Sequence, residues 1–101
     1  MADFYIKQND TKPDLSVVLS QDSVVVDLSD SVVMFHMGTI ADATATVTSA
    51  TAGAVSYEWD AADTAVNGCY NAEFEVTFSD DSIETFPNDG YLTIIIYEDL
   101  A

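Results

Sequence analysis

His36, Cys69 and the acidic side chains are the groups in this chain with chemistry to offer, and their spacing gives them little to do together. His36 is the only histidine. No second imidazole is available to complete a metal site or a proton relay. It lies on the row opposite Val33, Phe35 and Met37, where a surface or interface side chain is expected. Cys69, the only cysteine, sits between Gly68 and Tyr70 without a basic neighbour in sequence to stabilise a thiolate, so a passive, half-buried thiol is expected. Carboxylates are so abundant that pairs such as Asp60/Asp63, Glu73/Glu75 and Asp80/Asp81 arise by chance. None has the D-x-[DN]-x-[DN]-G spacing of a calcium loop. A glycosidase needs two carboxylates across a substrate cleft, which a sandwich this small does not obviously offer. There is no Gly-rich phosphate loop, no C-x-x-C and no nucleophile elbow. The inventory predicts no catalytic residue, no metal site, no cofactor and no small-molecule substrate.

The charge narrows the partners. The chain has 101 residues, with 18 acidic side chains against Lys7 and Lys12 and no arginine. Beyond Lys12 it carries no fixed positive charge. Such a surface cannot neutralise phosphates, so nucleic-acid binding by the usual electrostatic route is excluded, as is attraction to an anionic membrane. Besides a solvated, highly soluble surface, three readings stay open: adaptation to high salt, a basic partner, and divalent cations held between subunits. No apolar run approaches the ~20 residues of a membrane-spanning helix. No secretory signal is read at the N-terminus, and one cysteine excludes an intrachain disulfide framework. These features predict assembly in a cytoplasm.

The elements that must position these residues are strands. Tyr70, Ala72, Phe74, Val76 and Phe78 alternate with Cys69, Asn71, Glu73, Glu75 and Thr77, which places one apolar row on one face of a pleated strand. Polar breaks at Ser79–Ser82 and Pro87–Gly90 separate it from two further strands. Upstream, shorter strands are read at Phe4–Lys7, around Leu15, Val17 and Leu19, around Val24, Val26 and Leu28, around Val33, Phe35 and Met37, around Ala43, Ala45 and Val47, and around Val55, Tyr57 and Trp59. Thr39–Asp42 reads as a connection, and Asp60–Gly68 as a loop crossing between sheets. About eight short antiparallel strands without a substantial helix predict an all-β, immunoglobulin-like β-sandwich occupying residues 1–101 as one domain.

Phe35, Tyr57, Trp59, Tyr70, Phe74 and Val76 are the expected structural core. Gly68-Cys69-Tyr70 suggests a tyrosine corner, the Tyr70 hydroxyl bonding back to the loop Asp60–Asn67. The last strand is apolar on both rows: Leu92, Ile94 and Ile96 on one, Tyr91, Ile95 and Tyr97 on the other. A two-layer sandwich buries only one face of each sheet. Phe4, Tyr5, Tyr91, Ile95 and Tyr97 are therefore the candidate interface residues, to be covered by loops or by another chain.

Two stretches carry a resemblance. Ala2–Leu15, ADFYIKQNDTKPDL, and Tyr70–Ile94, YNAEFEVTFSDDSIETFPNDGYLTI, resemble the N-terminal domain of the tailed-phage baseplate upper protein family. The matching features are the loop residues Asn9, Asp10, Thr11 and Pro13, the strand residues Val33, Phe35 and Met37, and the closing set Gly68, Tyr70, Ala72, Glu73, Phe74, Phe86 and Pro87. The resemblance implies a non-enzymatic, immunoglobulin-like module of a virion, which in the family attaches a larger protein to the baseplate core. It also implies other virion structural proteins as partners, a symmetric multi-copy assembly and a place in the virion. The sequence stops directly after the sandwich, which widens the expectation to a neck or tail ring or to capsid decoration on the head. A cation-dependent module binding host-surface glycans through Tyr57, Trp59, Tyr70 and Tyr91, and an acidic mimic of DNA, are the competing classes.

Overall fold

Period-two alternation becomes eleven short strands: β1 Asp3–Lys7, β2 Leu15–Val18, β3 Ser20–Gln21, β4 Val24–Val25, β5 Val32–Met37, β6 Ala41–Thr44, β7 Thr46–Ser49, β8 Ala54–Tyr57, β9 Gly68–Thr77, β10 Ile83–Phe86 and β11 Leu92–Tyr97. The computed structural model describes residues 3–100; Met1, Ala2 and Ala101, read from sequence as the ends of the domain, lie outside the described residues. Two layers form a β-sandwich of immunoglobulin-like type, antiparallel except for the parallel pairing of β1 with β11. The larger sheet has six strands in the order β1-β11-β9-β5-β6, with β10 also on β9. The smaller has three, β2-β8-β7, and β3 and β4 make a separate hairpin.

β9 is the spine. One edge of β9 pairs first with β11, where Leu92 faces Ala72, and then with β10, where Phe86 faces Phe74. The other edge pairs with β5, with Phe35 opposite Phe74 and His36 opposite Glu73. β1 joins β11 in parallel, Tyr5 opposite Ile95 and Lys7 opposite Tyr97. The register puts Phe35, Phe74, Val76, Ile94 and Ile96 on the inner face, all at 2% exposure or less. From the smaller sheet Leu15, Val55 and Tyr57 meet them. Phe35 and Tyr57 stack across the two layers with ring centroids 4.3 Å apart. Trp59 stands edge-on to both, 5.7 Å from Phe35 and 5.2 Å from Tyr57. Trp59 is read from sequence as part of a strand, but it lies two residues beyond β8; it anchors the core from the loop.

Further strand readings need correction: the strand read through Leu15, Val17 and Leu19 ends at Val18. The strand expected over Val24, Val26 and Leu28 is only Val24–Val25. Its partner β3 is two residues long, and after Val26 the Asp27 carboxylate accepts bonds from the Ser29 amide (2.9 Å) and hydroxyl (2.6 Å). That local turn competes with further pairing. Leu28 still reaches the core at 1% exposure. The expected strand over Ala43, Ala45 and Val47 is two strands, one in each sheet. The chain changes layer at Ala45, whose amide donates to the Val33 carbonyl at 2.8 Å; its small buried side chain lets the backbone pass between the layers. Ala41 and Asp42, read as connection, belong to β6.

Asp60–Gly68 is the crossing loop expected, carrying the chain from β8 in the small sheet to β9 in the large one. The β3–β4 turn is Asp22-Ser23, both at positive φ (51° and 68°). That is the combination a two-residue hairpin requires to match strand twist.

Gly53 is fixed by space as well as by conformation. Its φ is +67°, and a Cβ there would stand 2.7 Å from the Leu19 carbonyl oxygen and 2.8 Å from that of Val26. Both obstacles are backbone, and the Gly53 carbonyl itself accepts the Leu19 amide at 2.8 Å. Gly53→Ala is expected to destabilise by at least the ~1–3 kcal/mol of a strained backbone position. Urea unfolding reads it; a wild-type midpoint would contradict the crowding.

Candidate interaction surface

The outer face of the six-stranded sheet gathers most of the side chains that the sequence leaves without a place in the core. Along β11 the outward row is Tyr91, Thr93, Ile95 and Tyr97. β1 adds Tyr5 and Lys7, and β9 adds Cys69, Asn71, Glu73 and Glu75. Tyr5 and Tyr97 are each about half exposed, and their rings stack with centroids 6.0 Å apart and planes 13° apart. The Lys7 ammonium lies 5.8 Å from the Tyr97 centroid, within cation–π range. Ile95 is half-buried between its register partners Tyr5 and Cys69. Val32 and Ile83 are exposed on the strands flanking the far end of β9.

Four of the five candidate interface residues therefore share this outer face. Phe4 does not. It lies on the inner row of β1, half-buried, and stacks on Trp59 at 5.7 Å. The reason is the pleat: Tyr5 and Lys7 face out, so Phe4 and Ile6 face in. Cys69 is exposed rather than half-buried, because β11 and β9 place it on the outer row beside Ile95.

The other half of this face is polar. His36 Nδ1 lies 2.9 Å from the Asp42 carboxylate, and His36 Nε2 is 3.8 Å from that of Glu75. Beside them His36, Gly38, Asn71, Glu73 and Tyr91 line an open cavity of about 310 Å³. A second cavity, of about 320 Å³ and largely apolar, runs between the free edge of β2 and the large sheet, lined by Val17, Leu19, Phe74, Phe86, Pro87 and Leu92. Among the described residues no group of three or more His, Cys, Asp and Glu side chains is arranged to hold a metal ion.

The core residues sit as expected, with one qualification. Phe35, Tyr57, Trp59, Phe74 and Val76 are buried. Tyr70 is half-buried and forms the corner, its hydroxyl donating to the Val66 carbonyl at 2.7 Å. With Tyr57 and Trp59 inside and Tyr70 engaged, the glycan platform considered from sequence keeps only Tyr91. Asp63, read from sequence only as half of a chance carboxylate pair with Asp60, is a buried carboxylate that accepts from the Tyr57 hydroxyl (2.5 Å) and the Asp60 amide (3.0 Å). Its place six residues after Tyr57 in a crossing loop was the available signal. Burial, followed by the bond to Asp63 and the nearby negative charge, pushes the Tyr57 phenol well above its ordinary value. The Ser29 hydroxyl and amide hold Asp27 below the usual carboxylate range, and Ser82 does the same to Asp80; both are turn-forming contacts.

No family model and no curated protein sequence matches the chain. Among solved structures, CopC from Methylosinus trichosporium OB3b superposes with a TM-score of 0.55 at 12% identity, covering 100% of this chain and 89% of that one. A Bacteroides ovatus mixed-linkage glucan utilization locus protein, SGBP-B, solved with a mixed-linkage heptasaccharide, gives a TM-score of 0.44 at 10% identity over 95% of this chain and 20% of that one. At these identities the likeness to CopC is one of fold: the chain is an immunoglobulin-like β-sandwich.

Proposed function

We propose that this chain is a non-catalytic structural subunit of a tailed-phage virion, docking onto other virion proteins through the outer face of its six-stranded sheet. The observation that carries the docking reading is the half-exposed, mutually stacked pair Tyr5 and Tyr97 beside Ile95. Aromatic side chains that are already ordered lose little freedom when a partner covers them, and Tyr is enriched at the energetic centres of interfaces. A sheet with one face in a sandwich core has no internal use for such a row on its other face. The virion assignment draws on the resemblance set out from sequence. Of the residues that carry it, Val33, Phe35 and Met37 lie on the inner row, Tyr70 forms the corner and Phe86 is in the core.

The triple change Tyr5→Ser, Ile95→Ser and Tyr97→Ser tests the reading. Tyr5 and Tyr97 are exposed and Ile95 is half-buried on the outer face, where strand substitutions cost about 1 kcal/mol each, so the protein is expected to stay folded. Loss of interface anchors of about 2 kcal/mol each is expected to abolish retention on virions banded from the producing culture. A folded triple variant that bands with particles as well as wild type contradicts the docking face. Absence of the wild-type protein from purified virions contradicts the virion assignment.

A further inference from the structure

We propose that the cavity at Glu73 is a receptor for an arginine side chain presented by a partner protein other than a second copy of this chain. The inference rests on the docking reading above and specifies the chemistry of the partner. Glu73 lies at the centre of the cavity floor, on β9, with His36 of β5 as its register partner on one side. Tyr91 flanks the other side, since the next residue, Leu92, is paired with Ala72. Asn71 continues the floor one step along the same row, and Gly38 leaves the rim open, because nothing lies within 4 Å of where its Cβ would be. His36 lies between two acids, its Nδ1 2.9 Å from Asp42 and its Nε2 3.8 Å from Glu75. The Glu73 carboxylate, the Asn71 amide and the Tyr91 hydroxyl make no hydrogen bond or ion pair among the described residues.

The missing cation cannot come from this chain. Its only fixed positive side chains are Lys7 and Lys12. Lys7 lies over Tyr97 and Lys12 pairs with Asp14 at 3.1 Å. A carboxylate, an amide oxygen and an aromatic wall around a space of about 310 Å³ match a planar guanidinium. Two parallel N–H groups meet the carboxylate, while the plane stacks on the tyrosine. An inorganic ion needs several oxygens converging at ~2.0–2.6 Å, and the described residues form no such cluster. Charge also decides against a second copy in a face-to-face contact. With a net charge of −16, an isologous interface would bring two sets of Asp42, Glu73 and Glu75 together on a face whose one fixed cation per copy, Lys7, lies over Tyr97 rather than at the cavity. From the cavity the row Thr93, Ile95 and Tyr97 leads to the aromatic pair, so the partner surface should carry apolar side chains on one side of its arginine.

The experiment titrates isotopically labelled protein, at low salt, with a blocked pentapeptide bearing one arginine between leucines, read by amide chemical shifts. The expected result is saturable movement of Gly38, Asn71, Glu73 and Tyr91, with at least tenfold weaker binding for E73Q. Asp22→Asn, which removes one charge in the distant β3–β4 turn, should change affinity less than twofold. The citrulline peptide, equal in shape and uncharged, should not bind. The proposal is overturned if the arginine peptide moves none of these amides, if citrulline binds as well, or if E73Q and D22N weaken binding alike, which would be general attraction to a polyanion. Saturation of the same amides by calcium alone, or their movement on raising protein concentration without peptide, overturns it in favour of an ion or a second copy. Unchanged peptide affinity in E73Q sinks this inference alone; unchanged particle retention of the Tyr5, Ile95 and Tyr97 variant sinks the docking reading instead.

Discussion

Phe35→Ala is expected to lower the unfolding free energy by about 3–5 kcal/mol, the largest effect of any single truncation in this fold. Phe35 is fully buried and carries the large sheet's contact to Tyr57 of the small sheet. It stacks on Tyr57 at 4.3 Å, meets Trp59 edge-on at 5.7 Å and packs on Phe74 at 5.1 Å. Phe4 then closes the series against Trp59 at 5.7 Å. Removing the central ring deprives three aromatic neighbours of a partner at once, each pair being worth about 0.5–1.5 kcal/mol beyond area burial. Trp59 cannot compensate through polar contacts, because its buried Nε1 has no hydrogen-bond partner among the described residues; ring packing alone holds it. Since domains of this size have about 5–15 kcal/mol in total, the variant should sit near the edge of folding. Urea unfolding followed by Trp59 fluorescence measures the shift. Phe35→Leu, which keeps most of the volume, should recover more than half of the loss. A Phe35→Ala midpoint within experimental error of wild type would mean that the two layers are not joined through this ring.

The inner rows were legible because burial on one face imposes a period of two, and that period survives in the sequence wherever a strand is long. β5, β9 and β11 were therefore read with their correct faces. The shorter pieces were not. Val24-Val25-Val26 has strand composition, yet pairing stops after two residues because Asp27 offers Ser29 a competing turn. The alternation through Ala43, Ala45 and Val47 is real, but alternation reports faces and not sheets, so the change of layer at Ala45 leaves no trace in it. The interaction surface was half legible for the same reason. Tyr91, Ile95 and Tyr97 stood out as surplus apolar residues on the second row of the last strand. The stacking of Tyr5 on Tyr97 depends on β1 lying parallel to β11, a pairing between the two ends of the chain that no local pattern encodes. Phe4 and Tyr5 were both apolar candidates; only the pleat of the first strand decides which one faces out. The Glu73 cavity, built from β5, β9, the Gly38 turn and Tyr91 just before β11, is likewise a product of register.

Asp63→Ala is expected to cost about 2–4 kcal/mol, because it removes a charged acceptor from the buried Tyr57 hydroxyl and the part-buried Asp60 amide and leaves the Tyr57 hydroxyl unpaired inside the protein. The bond from Tyr57 to Asp63 at 2.5 Å and the bond from the Asp60 amide at 3.0 Å pin the start of the crossing loop to the end of β8. The same arrangement sets a pH dependence. Burial, with the Asp63 carboxylate next, raises the Tyr57 phenol above its ordinary value of 10.0. The folded protein therefore holds a proton that the unfolded chain releases above about pH 10. Where the folded state binds more protons, stability falls as pH rises. The contribution is fully present below about pH 10 and is lost progressively as pH climbs from there toward the folded value. Melting temperatures of wild type and Tyr57→Phe, compared at pH 9 and pH 11, isolate this group from every other titration. Wild type should lose more stability than Tyr57→Phe over that interval. Asp63→Asn, which retains an acceptor but not the charge, should fall between wild type and Asp63→Ala. Parallel losses in wild type and Tyr57→Phe would show that the phenol titrates as freely in the fold as in the open chain.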